Sequence, residues 1–355
     1  MQVVTYVMLA FAVLGAIDRI FGSRIGIGKE FEKGVSMLGP LMLSMGGMLI
    51  LAPVIAEAFI ALGAESFLGI DISIIPASLL ANDMGAAHIC ALIAGNIEVG
   101  LWCGLVVASM MGCTVSFTLP YVMQVVKKED YNDVVVGLLI GMITVPVGCI
   151  IGGIVAGTPL LPMLITLIPL VIFLAVVAIG ILKFEKITVK IFLAFGWLMR
   201  AVIAVGLIIG AIEFMLGITV VESADSLMSV AEVLIDISCI MMGAFPLLWI
   251  LKTLLSRFAK PFGRALGINE ASVFGLIFTL GSSVPTFASL GEMDRKGVII
   301  NSAFTVSASF VFVDHLAYTM SFDPDYLFPM IAGKLVSGIS AVILAIFIYR
   351  RKYNA

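Results

Sequence analysis

The chain has 355 residues, of which 61% are hydrophobic and 12% charged, with a formal net charge of −3 and a mean hydropathy of +1.20. A soluble domain of this length carries far more charge, so these values exclude a water-soluble globular enzyme and indicate an all-α polytopic membrane protein. No nucleic-acid partner is expected, and the apolar surface is matched to membrane lipid.

In chain order, the first run MQVVTYVMLAFAVLGAIDRIF has no basic n-region and no small-residue cleavage site, so it is expected to remain as a first helix. Segments suited to crossing follow near residues 34–56, 99–126, 133–157, 163–182, 190–217, 230–256, 296–321 and 326–349. Two further apolar segments, near 72–95 and 270–291, are interrupted by LLANDMGAAH and TLGSSVPTF. A carboxylate at mid-bilayer costs roughly 2.5–3.5 kcal/mol even on the gentlest scale, so Asp83 in the first of these needs an explanation.

Lys and Arg weigh between spanning and re-entry, because cytoplasmic loops carry their excess. They cluster at Arg19 to Lys33, Lys127/Lys128, Lys183 to Lys190, Lys252 to Arg264, Arg295/Lys296 and Arg350 to Lys352. If both interrupted segments span, the clusters divide evenly between the two sides. If both dip in and return, every cluster faces one side, and the opposite loops hold Glu57, Glu65, Asp71, Glu213, Glu222, Asp225, Asp323 and Asp325. The preferred topology is therefore about nine spanning helices plus two re-entrant hairpins, with the N-terminus outside and the C-terminus cytoplasmic. Eleven spanning helices is the alternative.

The two halves echo each other. SMGGMLIL (44–51) matches MMGAFPLL (241–248), ASMMGCTVSFTLPYVM (108–123) matches TVSASFVFVDHLAYTM (305–320), and LLIGMITVPVG (138–148) matches PMIAGKLVSGI (329–339). This divides the chain into a first repeat over 1–160 with its hairpin near 72–95, a linker helix over 161–186, and a second repeat over 187–355 with its hairpin near 270–291. An odd number of crossings between the halves inverts the second, the architecture in which secondary transporters place substrate between two broken segments.

Cys90, Cys103, Cys113, Cys149 and Cys239 lie in apolar segments without CxxC spacing, and His88 and His315 are the only histidines. No metal site or cofactor is expected. HExxH, GxSxG and the P-loop signature are absent, which argues against an enzyme. Small residues in SMGG, GLLIG and GCIIGG read as close helix contacts, and the many Met residues as packing.

LLANDMGAAH and FVFVDHLAYTM, together with VLGAIDRIFG (13–22), LAPVIAEAF (51–59), SMMG (109–112), VPVGCIIGG (145–153), EMDRKGVIINSAFTVSASF (292–310) and FPMIAGKLVSG (328–338), resemble the EutH family, ethanolamine utilisation protein H. The likeness runs in order along essentially the whole chain. It implies a permease importing ethanolamine across the bacterial inner membrane. Two departures stand out: the second hairpin reads GSSVPTF where an Asn-rich stretch is expected, and the loop after residue 157 is very short.

Ethanolamine is a primary ammonium with one hydroxyl, so its pocket needs a carboxylate or aromatic faces and a hydroxyl partner. Asp83 and Asn82 at the first break are the leading candidates, against a role as a half-helix cap. Asp314 and His315 either bind the amine and carry a proton, or Asp314 is neutralised by Lys334. Ser282, Ser283 and Thr286 at the second break suit the substrate hydroxyl or a sodium ion, or serve only the backbone freed beside Pro285. Tyr121, Tyr318 and Trp102 are aromatic candidates for the ammonium or members of interfacial belts. Asp236 and His88 complete the set as coupling or charge-pair residues. Coupling to H+ or Na+, uniport, and assembly into a homo-oligomer all stay open.

Overall fold

The computed structural model describes residues 2–61 and 68–353; Glu65 lies outside them. Among the described residues the regular structure is helical, with no strand. That is the solution lipid imposes on a single chain segment, because a helix satisfies its own backbone N–H and C=O groups. Eight helices among the described residues are long and apolar enough to cross a membrane: Val3–Ile20, Ile27–Ala61, Ile97–Val125, Tyr131–Ala156, Leu160–Lys183, Glu185–Leu216, Leu227–Ser256 and Pro324–Arg351. The protein is a multi-pass all-α membrane protein.

The crossing expected over 296–321 is not one helix. It consists of Arg295–Ala308 and Asp314–Phe322, separated by an irregular stretch in which Phe310 takes φ +63°. Neither Gly nor Pro marks this break. Hydrogen bonds from the backbone N–H groups of Phe310 and Phe312 to the carbonyls of Thr279 (3.2 Å) and Leu280 (3.0 Å) replace the lost helical ones.

Both interrupted segments return to the end from which they enter. Residues 71 and 96 would stand about 37 Å apart in a continuous helix, yet the Asp71 carboxylate accepts hydrogen bonds from Gly95 N at 3.0 Å and Asn96 N at 3.2 Å. Within this first hairpin, Ile74–Leu79 ends in extended backbone at Leu80 and Ala81. A wide turn over Asn82–Ala86, with Gly85 at φ +89°, then leads into Ala87–Ile93. In the second hairpin, Glu270–Thr279 and Ser283–Ala288 lie side by side, because Thr286 Oγ1 donates to Gly275 O at 2.9 Å. Its base is closed by Asn269, which donates to Glu292 O at 2.8 Å and to Asp294 Oδ1 at 2.9 Å.

The hairpins enter from opposite ends. Helix Ile97–Val125 separates the base of the first from the 126–130 loop, where Tyr131–Ala156 begins. Arg295, which follows the base of the second, holds Asp133 through Nε at 2.8 Å and its terminal nitrogen at 3.1 Å. The second base therefore sits at the 126–130 end. Tyr326 donates from its hydroxyl to Glu98 O at 3.1 Å, so the broken segment Arg295–Phe322 crosses to the opposite end in two pieces. Among the described residues, eight continuous crossings, one broken crossing and two hairpins result. Lys127/Lys128, Arg295/Lys296 and the end of the last helix, with Arg350, share the end of the second hairpin's base.

Glycine sets the closest approach at the centre. A Cβ at Gly148 would meet the Gly333 carbonyl and the Ser337 side chain, and Gly137 and Gly141 stand in the same way against helix Arg295–Ala308. The helices carrying the polar residues are thus held backbone to backbone, as the small-residue runs predict.

Candidate functional site

Asp83 enters from the turn of the first hairpin, just before helix Ala87–Ile93, and Asp314 from the first turn of the second half of the broken crossing. The two carboxylates open on one cleft of about 240 Å³, shared with His315, Phe117, Phe310 and Ser44. Both are partly accessible, unlike His315, which is 1% exposed and whose Nδ1 has no hydrogen-bond partner. The volume lies below the roughly 300–1,000 Å³ of drug-sized pockets, so it suits a ligand of a few heavy atoms.

The aromatic wall is ordered. Phe117 meets Phe310 edge to face at 5.3 Å, Phe310 lies 5.5 Å from the His315 ring, and Tyr121 stacks behind Phe117 at 5.9 Å. Phe310 owes its position to the left-handed backbone at the break, a conformation that a bulky residue keeps only where its surroundings enforce it. Two carboxylates beside aromatic faces make a chemical environment for a small cation.

Several candidates stand elsewhere. Lys334 does not pair with Asp314: its Nζ donates to the Ser109 carbonyl at 2.5 Å, and none of the four ion pairs among the described residues includes it. The acceptor lies in the wide π-helical turns of Cys103–Gly112, a distortion common at functional sites. Tyr318 is fully buried with its hydroxyl 2.9 Å from His88 Nδ1, so the pair forms an internal polar contact away from the cleft. Trp102, also fully buried, donates to Cys149 O at 2.9 Å. Interfacial belts account for neither Tyr318 nor Trp102. Asp236 is exposed, in a separate surface cleft with Thr5 and Asp325.

The second break is likewise apart from the carboxylate cleft. Ser282 caps Val284 N at 3.3 Å, Thr286 bonds within the hairpin, and Ser283 is buried with no partner for its hydroxyl. Asn82 is 0% exposed and both its amide atoms are unpartnered, but it does not line the cleft. The sequence reading missed Phe117, Phe310, Cys113 and Ser44. A shared spacing could have found three of them: Cys113 and Phe117 are four residues apart, as are Phe310 and Asp314, at matching places in the two aligned stretches.

The family described as "Ethanolamine utilisation protein, EutH" matches residues 1–348. A protein of Listeria monocytogenes named "Probable ethanolamine permease EutH" is 37% identical over 99% of this chain and 94% of its own length. The proteins of the same name from Salmonella typhimurium and Escherichia coli are each 31% identical over 98% of this chain and 95% of theirs. No solved structure matches the chain. With a match of this extent, running through both hairpins and the broken crossing, the chain belongs to the EutH ethanolamine utilisation protein family.

Proposed function

We propose that the protein is a secondary transporter, not an enzyme, that imports ethanolamine across the bacterial cytoplasmic membrane by alternating access. The observation that carries this reading is the cleft in which Asp83 and Asp314, from two different broken segments, face Phe117 and Phe310. The names of its relatives, ethanolamine permeases, agree with it. The ammonium group sits between the carboxylates and the aromatic faces, and the Ser44 hydroxyl or carbonyls freed at the breaks accept the substrate hydroxyl. No Lys or Arg lines the cleft, so the surroundings favour a cation over a small carboxylate.

Hairpins entering from opposite ends support two inverted halves, 1–160 and 187–355, that rock about this site. Orientation follows from charge. The end that holds Lys127, Lys128, Arg295 and Lys296 faces the cytoplasm, with the N-terminus outside. Asn82 completes the wall behind Asp83 once the cleft closes on substrate, and His315 hands a proton to Asp314 or holds it in place.

Binding to the purified protein tests the substrate. Ethanolamine should raise the melting temperature saturably, choline should do so less because three methyl groups crowd the aromatic faces, and acetate should have no effect. Equal stabilisation by acetate would contradict a cation site.

A further inference from the structure

A second polar cluster, wholly buried, lies between the second hairpin and helix Arg295–Ala308, and the substrate cleft does not use it. Thr279, Thr286, Thr305, Asn301 and Ser283 are each 0% exposed. Their protons can be counted, since a hydroxyl has one to donate. Thr286 donates to Gly275 O at 2.9 Å and Thr305 to Asn301 O at 2.7 Å. Thr279 Oγ1 lies 2.9 Å from Thr286 Oγ1 and 3.4 Å from Thr305 Oγ1, and its single proton serves one of them.

Asn301 uses both amide hydrogens on the carbonyls of Ser272 and Gly297, each at 2.9 Å, and leaves Oδ1 without a partner. That oxygen lies against Gly275, where a Cβ would collide with it. The Ser283 hydroxyl, one helical turn before Thr286 on the same face, is also unpartnered. With the threonine protons committed, Asn301 Oδ1 stands without a donor and the Ser283 hydroxyl without any partner, out of reach of water, an arrangement that is costly unless a positive charge or a further donor meets it.

The oxygens are neutral. Hydroxyl, amide and carbonyl ligands without a carboxylate suit a hard monovalent ion, and no group of His, Cys, Asp and Glu among the described residues could hold a metal. We propose that Thr279, Thr286, Thr305 and Asn301 form a sodium site whose occupancy is coupled to substrate binding. The coupling rests on the transport reading above. Its route is short: Thr279 O accepts from Phe310 N at 3.2 Å, Ser309 Oγ donates to Thr305 O at 2.5 Å, and Phe310 and Asp314 line the cleft. An ion that ties Thr279 to Thr305 fixes the break that carries these two residues.

Melting of the purified full chain in NaCl, KCl and LiCl at equal ionic strength tests the site without substrate. Sodium should stabilise saturably over potassium, and Thr279→Val with Thr305→Val should abolish that difference. Ethanolamine affinity should rise at least tenfold in sodium. Identical melting of the unaltered protein in NaCl and KCl overturns the site even if the variant does not fold. A sodium effect that survives the double variant overturns the assignment of these residues, and a sodium effect on melting without one on ethanolamine affinity overturns the coupling. If ethanolamine binds in neither salt while sodium stabilises, the transport reading fails and the ion site stands.

Discussion

Asp314→Asn and Asp83→Asn should each lower ethanolamine uptake at least roughly 100-fold, with the protein still folded and inserted. Removing one partner from a desolvated charge pair costs about 3–5 kcal/mol, and each 1.4 kcal/mol is tenfold in affinity. The two carboxylates come from independently anchored segments. Asp83 lies at the turn of a hairpin clasped at its base by Asp71, and Asp314 follows a break tied to the second hairpin through Phe310 and Phe312. Neither takes part in an ion pair among the described residues, so the amide should fit without stranding a buried cation. Uptake by each variant, beside its expression and melting temperature, checks this. Unchanged affinity in Asp83→Asn would reduce that residue to a cap on its half-helix.

Gly148→Leu should destabilise the fold by about 3 kcal/mol or more, at the upper end of overpacking costs. A side chain there meets backbone of the facing helix at Gly333, together with Ser337 and the Met110 sulfur, so a rotamer change cannot make room. Lys334, next to Gly333 on the facing helix, donates to Ser109 O on a third helix, Ile97–Val125. A shift of the Leu327–Tyr353 helix strains that bond, in surroundings that offer the buried ammonium no substitute acceptor. Thermal unfolding in detergent should show an early transition for Gly148→Leu and a lesser but distinct destabilisation for Gly148→Ala, whose Cβ alone already meets the Gly333 carbonyl.

Both hairpins were legible because their interruptions cannot be ignored in lipid. Asn82, Asp83 and Gly85, and later Gly281, Ser282 and Pro285, break an apolar run with residues that weaken a helix, and the basic clusters then indicate re-entry. The break at Phe310 was illegible for the opposite reason. FVFVD contains no helix breaker, and its geometry is imposed by a tertiary partner, the tip of the second hairpin. Asp83 and Asp314 were found through the cost of charge in an apolar segment. Phe117 and Phe310 were not, because a phenylalanine in such a segment costs nothing, and the chain has 23 of them.

Lys334 and Asp236 show where charge alone misleads. An ammonium can be satisfied by a carbonyl in a distorted helix as well as by a carboxylate, and linear sequence does not identify which. Asp236 lies in a crossing helix, but on a face that hydropathy does not locate, and that face is exposed.

The most direct test of transport through this cleft is uptake of labelled ethanolamine into proteoliposomes carrying the unaltered protein or Asp314→Asn, under imposed sodium, proton and potential gradients. Saturable uptake that accumulates ethanolamine above its external concentration, and that is lost in the variant, is the predicted result. Flux that never exceeds equilibration and does not saturate, or accumulation undiminished in the variant, would contradict it.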